Sequence, residues 1–554
     1  MKYAGEKRFS LWTSFSLIIL AVFLLFIIYP LVLVLCKSVI DPLSGSFTLE
    51  YLAKFFTKKF YWSTMVNSFQ VTACATVLAA LIGLPMAYVM RSVKIRGSGL
   101  LDILIVISYL SPPFIGAYAW IQLLGRNGMV TNLINELFGI RFDGIYGFAG
   151  IVLVFTLQSF PLVYMYVSGA LKSLDNSLSE AAESLGCGRF ARIAKIIVPL
   201  IMPTLLASSL LVFMRVFADF GTPMLIGEGF KTMPVLIYTQ FMSEVGGDDG
   251  FAAALCVIII VLTLLLFFVQ RFLANRNTYA MTALKPLIAE PVTGMKNMLA
   301  HTFVYLVVGL AILPQVVVIY TSFLKSNGGQ VFTGGFALQS YEATLFAKDN
   351  DVILNTYILG LISISIIVIF GILISYLTVR KKNLLNSSLD TITMFPYIVP
   401  GSVLGISFLF AFNNPPLLLS GTALVMIIAF SIRRLPYTVR SSTAIIGQIS
   451  PSVEEAAISL GASELKTFTK VTVPMMMPGV LAGAIMSWVT IISELSSSII
   501  LYTNSTQTLT IAIYTEVIRG NYGNASAYST ILTITSILSL LIFYRLTGKR
   551  DISM

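Results

Sequence analysis

Three ionisable residues, Arg215, Asp219 and Glu494, stand within or at the edge of long apolar runs. A charge surrounded by hydrocarbon costs several kcal/mol unless it is paired or wetted, so such residues mark solute pathways or buried pairs. Arg215 and Asp219 are one helical turn apart, a spacing at which they can pair on one face. Glu494 follows Asp219 by 275 residues and repeats its place in the second half of the chain. Two carboxylates so related would face a shared axis and line a route for a cationic solute, or would hold helices together without touching solute. Other chemistry has little to stand on. The single histidine, His301, begins an apolar run as an interfacial residue, and the four cysteines have no disulfide or metal spacing and read as small packing residues. No G-x-x-x-x-G-K-[ST] loop is present to cradle a nucleotide, so the chain is expected to bind no cofactor itself.

The elements that must position these residues are membrane spans. Of 554 residues, 57% are hydrophobic and 11% charged, with mean hydropathy +0.88, too apolar for a soluble enzyme of this length. Runs of about 20 apolar residues, enough to cross a bilayer core, start near positions 11, 66, 100, 146, 201, 251, 299, 353, 388, 418, 476 and 528. The fold class is therefore all-α and integral to the membrane, with about twelve helices in two six-helix halves.

The net charge of +11 follows from topology rather than from a nucleic-acid role. With the N-terminus in the cytoplasm, about 25 of the basic residues, Arg433, Arg434 and Arg440 among them, fall in cytoplasmic segments, and Arg215 is left as the one intramembrane cation. An even number of spans brings both termini to the cytoplasm. The first run, from Leu11 to Cys36, is too long for a secretory signal and has no small-residue cleavage site.

The chain repeats itself in order. Asn67, Tyr88, Asp102, Tyr109 and Pro112 match Asn355, Tyr376, Asp390, Tyr397 and Pro400 at offset 288, whereas Pro161 and Pro436 match at 275, which places a 13-residue deletion between the third and fourth spans of the second half. Halves separated by six spans share one orientation and are related by a pseudo-two-fold axis along the membrane normal. The first half is assigned to 1–274, a cytoplasmic linker to 275–297 and the second half to 298–554. Prolines and glycines inside spans, such as Pro112-Pro113 with Gly116 and Pro400-Gly401 with Gly405, point to broken helices that line cavities or gates.

The most informative repeat is polar. Glu180, Ala181, Ala182, Gly186 and Pro199 recur as Glu455, Ala456, Ala457, Gly461 and Pro474, each set between the fourth and fifth spans of its half. A short helix is expected in each copy, capped by Asp175 in the first and by Ser450 with Pro451 in the second. Gly186 and Gly461 would allow a left-handed C-cap, and small alanines leave room for another surface to press close. These are features of a docking element.

The spacing E-A-A-x-x-x-G-x9-I-x2-P, met by Glu180 to Pro199 and, with Val471 in place of Ile, by Glu455 to Pro474, resembles the signature loop of permeases of binding-protein-dependent ABC importers. The resemblance implies a type I importer permease in a bacterial inner membrane, with both loops forming coupling helices in two copies of a cytoplasmic ATPase. That partner would carry the ATP and Mg, and an extracytoplasmic binding protein would deliver the solute. Ala218 to Pro223, Glu494 to Tyr502 and Thr508 to Tyr514 resemble the fused permeases of ferric-iron importers, so ferric iron is the expected cargo. Permeases for thiamine, polyamines, aminoethylphosphonate and sugar phosphates share part of these motifs. A secondary transporter driven by an ion gradient is the other class, although it would need no paired docking loops. Hard oxygen donors of the kind ferric iron demands form no tight cluster in any span, which fits a conduit better than a binding centre.

Overall fold

The computed structural model describes residues 11–42, 44–140, 142–243, 248–276, 289–326, 332–346 and 351–547. Nine helices among them are long and apolar enough to cross a membrane. Two further spans are broken. Ser98–Tyr109 and Phe114–Phe138 meet at 100°, and Leu384–Ile398 and Gly401–Phe412 at 109°. The breaks fall at Pro112 and at Pro400-Gly401, where proline disfavours the helical conformation in the residue before it. Straight and broken spans together make up to eleven of the expected twelve; the helix Ala423–Gln448, where the tenth span is expected, is long enough to cross at 26 residues, but its arginines lower its hydropathy. The connection before the fourth span runs over residues 125–147, including a helix Met129–Phe138, whereas 413–422 suffice in the second half, a difference of 13 that matches the expected deletion.

The duplication appears as paired contacts. A Cβ on Gly83 would lie 2.8 Å from Val163 Cβ, and one on Gly371 would lie 2.8 Å from Thr438 Cγ2. Both partners are themselves repeat-related, so each half crosses its second span over its fourth at a glycine, where small residues let membrane helices approach closely. Replacing either glycine by Leu is expected to cost about 1–3 kcal/mol by overpacking, read as a lower thermal midpoint of the purified protein. Alanine at the same sites should cost less.

A second repeated device fastens the segment after each fifth span. Asn67 Nδ2 donates to Lys231 O at 3.0 Å, and its equivalent Asn355 donates to Ser505 O at 2.9 Å. One residue on, Ser68 Oγ accepts from Met233 N–H and Thr356 Oγ1 from Leu509 N–H, at 2.8 and 2.7 Å. These bonds anchor the starts of the helices Met233–Phe241 and Leu509–Ile518, whose first turns are buried.

The halves exchange their first spans. Leu11–Val39 packs on the second half, with Trp12 and Tyr376 rings 4.7 Å apart, Phe26 and Phe412 5.5 Å apart, and Ser16 Oγ bonded to Asn386 Oδ1 at 2.6 Å. The seventh span, Gly294–Ser322, reaches the first half through Thr321 and Gln122 at 3.0 Å and through Tyr305 and Arg96 O at 3.1 Å. His301 Nε2 accepts from Arg96 N–H at 3.3 Å, an interfacial contact as expected. That span begins at Gly294, inside the stretch assigned to the linker, and Glu290 exchanges backbone bonds with Ser92 and Lys94. Linker residues 277–288 lie outside the described residues. Cys256 is buried as expected, but Cys74 is exposed on the outer face of its helix and so fills no gap.

Candidate functional site

Both polar repeats fold as short helices, Ser177–Ser184 and Pro451–Ser459. Asp175 accepts from Ser177 N–H at 3.0 Å, and Ser450 from Ser452 N–H at 3.4 Å, each satisfying a donor of the first turn. At the far ends Gly186 has φ +81° and Gly461 φ +90°. Gly186 N–H bonds to Glu183 O while Cys187 N–H bonds to Ala182 O; Gly461 and Ala462 repeat the pattern with Ile458 and Ala457. This is the Schellman arrangement, which requires the left-handed residue. Leu185 and Leu460, just before these glycines, are 88% and 90% exposed. The matched triplets Ser184-Leu185-Gly186 and Ser459-Leu460-Gly461 are the sequence signal for both leucines.

Pro199 and Pro474 have a structural role of their own. In a regular α-helix the Pro199 ring would clash with the carbonyl of residue 195. A widened turn avoids this: Ile193–Ile197 and Phe468–Thr472 are π-helical, with Val198 N–H bonding Ile193 O and Val473 N–H bonding Phe468 O. The first span uses the same device before Pro30, over Leu24–Ile28.

A central cavity of roughly 630 Å³ lies where the spans of both halves converge. The broken third and ninth spans contribute Tyr109 and Tyr397, the fifth span Arg215, and the turn after it Asp219. Arg433 and Arg434 enter from the tenth span, with Glu494 just past the eleventh. Arg215 and Asp219 do not form the expected pair. The helix ends at Phe217, so Asp219 leaves the i,i+4 geometry and instead accepts from Thr222 N–H at 3.0 Å, while Arg215 lies over the Tyr109 ring at 4.4 Å. Glu494 makes the repeat-equivalent cap, accepting from Ser497 N–H at 3.1 Å.

Glu494 differs from Asp219 in its company. It is 3% exposed, and its two oxygens accept from Arg433 Nη1 and Arg434 Nη2. The expected cytoplasmic placement of those arginines is therefore corrected: they lie in the interior of a 26-residue helix, held there by a buried carboxylate. A Cβ on Gly401 would occupy the place of the Arg433 guanidinium, which gives the glycine after the break a packing reason. Among the described residues no group of three or more histidine, cysteine or acidic side chains is placed to hold a metal.

The profile of the family described as "Binding-protein-dependent transport system inner membrane component" matches twice, over residues 79–279 and 367–550. The chain belongs to that family. It is a fused permease of an ABC importer, a multi-pass membrane protein and not itself an enzyme. It is 29% identical to the ferric transport system permease protein FbpB of Actinobacillus pleuropneumoniae, with 100% of this chain and 80% of that one covered. It is likewise 29% identical to a putative ferric transport system permease protein of Haemophilus influenzae, over 89% and 78%. A molybdenum transport system permease protein of Escherichia coli matches at 29% over 38% of this chain and 93% of its own.

Within the permease the two halves are unequal at the cavity. The first-half equivalents of Arg433 and Arg434 are Gln158 and Ser159, and the second-half equivalent of Arg215 is Thr490. Each half thus keeps the capping carboxylate and changes the cations around it.

Proposed function

We propose that this permease forms the translocation pathway for ferric iron, delivered by an extracytoplasmic binding protein and driven by two copies of a cytoplasmic ATPase. The observation that carries the docking part is the pair of exposed short helices, Ser177–Ser184 and Pro451–Ser459, with matched caps and matched projecting leucines. Glu180, Ala181, Ala182 and their equivalents Glu455, Ala456 and Ala457 would face the ATPase. A cytoplasmic N-terminus is supported by Trp12, whose indole N–H donates to Glu464 Oε2 at 2.6 Å beside the second docking loop. The ferric cargo is supported by the two ferric transport permeases that match along both halves, each at 29% identity.

The fifth span is a 25-residue helix from Ile193 to Phe217, about 37 Å long. It joins the docking loop at one end to the Arg215–Asp219 wall of the cavity at the other, so closure of the ATPases would be carried to the cavity by a rigid element. Coupling of this kind needs loop contacts that differ between open and closed ATPase dimers. The test is ATP-dependent uptake of radiolabelled ferric iron by proteoliposomes containing permease, ATPase and loaded binding protein. Elemental analysis of the binding protein's ligand should find iron; an organic cation or a phosphorylated solute in its place would refute the cargo and leave the importer class standing.

A further inference from the structure

The charge of the central cavity has the wrong sign for a bare trivalent cation. Its lining carries four guanidiniums, of Arg215, Arg433, Arg434 and Arg440, against the carboxylates of Asp219 and Glu494. Arg433 and Arg434 are both spent on Glu494. Arg440 pairs with Asp390 outside the lining, at 3.2 Å. Arg215 forms no ion pair among the described residues, and Asp219 is occupied in capping the turn at Thr222. Counting Asp390, the site still holds one more positive than negative charge.

The neutral groups add to this. Tyrosines 109, 166, 397 and 437 supply phenolic hydroxyls to the same wall, whereas the Thr490 and Ser493 hydroxyls are spent on Met486 O and Val489 O of their own helix. Hydroxyl donors beside a guanidinium suit an oxyanion, since charge-assisted hydrogen bonds from arginine to carboxylate or phosphate oxygens are the strong ones.

We propose that the central cavity binds an oxyanion of the phosphate or carboxylate class, anchored on Arg215, and that iron crosses as the complex this oxyanion forms with it. The second clause rests on the ferric reading above; the anion site does not. A ferric ion ligated by such anions presents oxygen atoms of negative charge to the wall, so the guanidinium that would repel the bare ion attracts the complex.

Two measurements separate the clauses. First, radiolabelled phosphate and citrate are titrated onto the full-length permease in lipid nanodiscs. Saturable binding of at least one is expected, weakened about tenfold or more in Arg215→Gln, the loss of one charge-assisted hydrogen bond, and largely kept in Arg215→Lys. Absence of saturable binding of both anions, or an Arg215→Gln protein that binds as well as the parent, overturns the site. Second, the reconstituted importer is supplied with binding protein loaded with radio-iron and the labelled anion. Equimolar entry of both supports passage as the complex. Anion entry without iron keeps the site and removes the ferric reading. Iron entry without the anion overturns passage as the complex and leaves the ferric reading intact.

Discussion

Replacing Glu494 with Gln is expected to destabilise the permease by about 3–5 kcal/mol, because it leaves two buried guanidiniums without their shared counter-charge. The side chain is 2% exposed, and Arg433 and Arg434 are 13% and 16% exposed, so little solvent is available to compensate. A thermal midpoint lower by roughly 10 °C would follow for a unit of this size. The cause can be isolated. Combining Glu494→Leu with Arg433→Met and Arg434→Met removes all three charges together, and much of the lost stability should return, as when buried ion clusters are replaced by apolar groups of similar volume. Failure of that triple variant to regain stability would mean that the cap on Ser497, which Gln keeps and Leu removes, outweighs the unpaired arginines. Asp219→Asn provides the contrast. An amide oxygen can still accept from Thr222 N–H, and no ion pair is broken, so the change should stay within about 1 kcal/mol.

What could be read before the fold was known follows from the physics of each signal. The two polar loops were legible because their chemistry is local: cap, alanines and left-handed glycine lie within a dozen residues, and each appears twice. The breaks at Pro112 and Pro400 were legible for the same reason. The arginine pair was not. Arg433 and Arg434 interrupt an apolar run, which by composition alone reads as a span followed by a cytoplasmic loop, and the carboxylate that holds them inside is 60 residues away. The exchange of first spans was equally hidden, since a membrane helix that is apolar all round gives no sign of which half it meets. Gly83 and Gly371 lie at offset 288, a spacing that pairs them, but Val163 and Thr438 come against them only through the fold. The expected Arg215–Asp219 pair failed on a helix end, a boundary that spacing does not reveal.

Valine at Gly186 and Gly461 should uncouple the permease without unfolding it. The two glycines have open space around a would-be Cβ, so no clash arises; the penalty is conformational, because both sit at positive φ. A β-branched residue there costs about 1–2 kcal/mol, or about tenfold in the population of the correct turn. The turn aims Leu185 and Leu460 outward, and its loss would let the last helical turn unwind and redirect them. Each single variant is therefore expected to lower ATP-driven uptake about tenfold. The double variant should lower it about a hundredfold if both loops must dock at once, since independent penalties add in free energy. Thermal midpoints should barely move, because the loops lie outside the packed spans. Asparagine at either site tolerates the left-handed region and should keep most of the uptake. Double-valine protein that imports at the parental rate would remove the docking role from these loops. Equal losses for valine and asparagine would shift the explanation from backbone conformation to the need for a bare glycine surface against the ATPase.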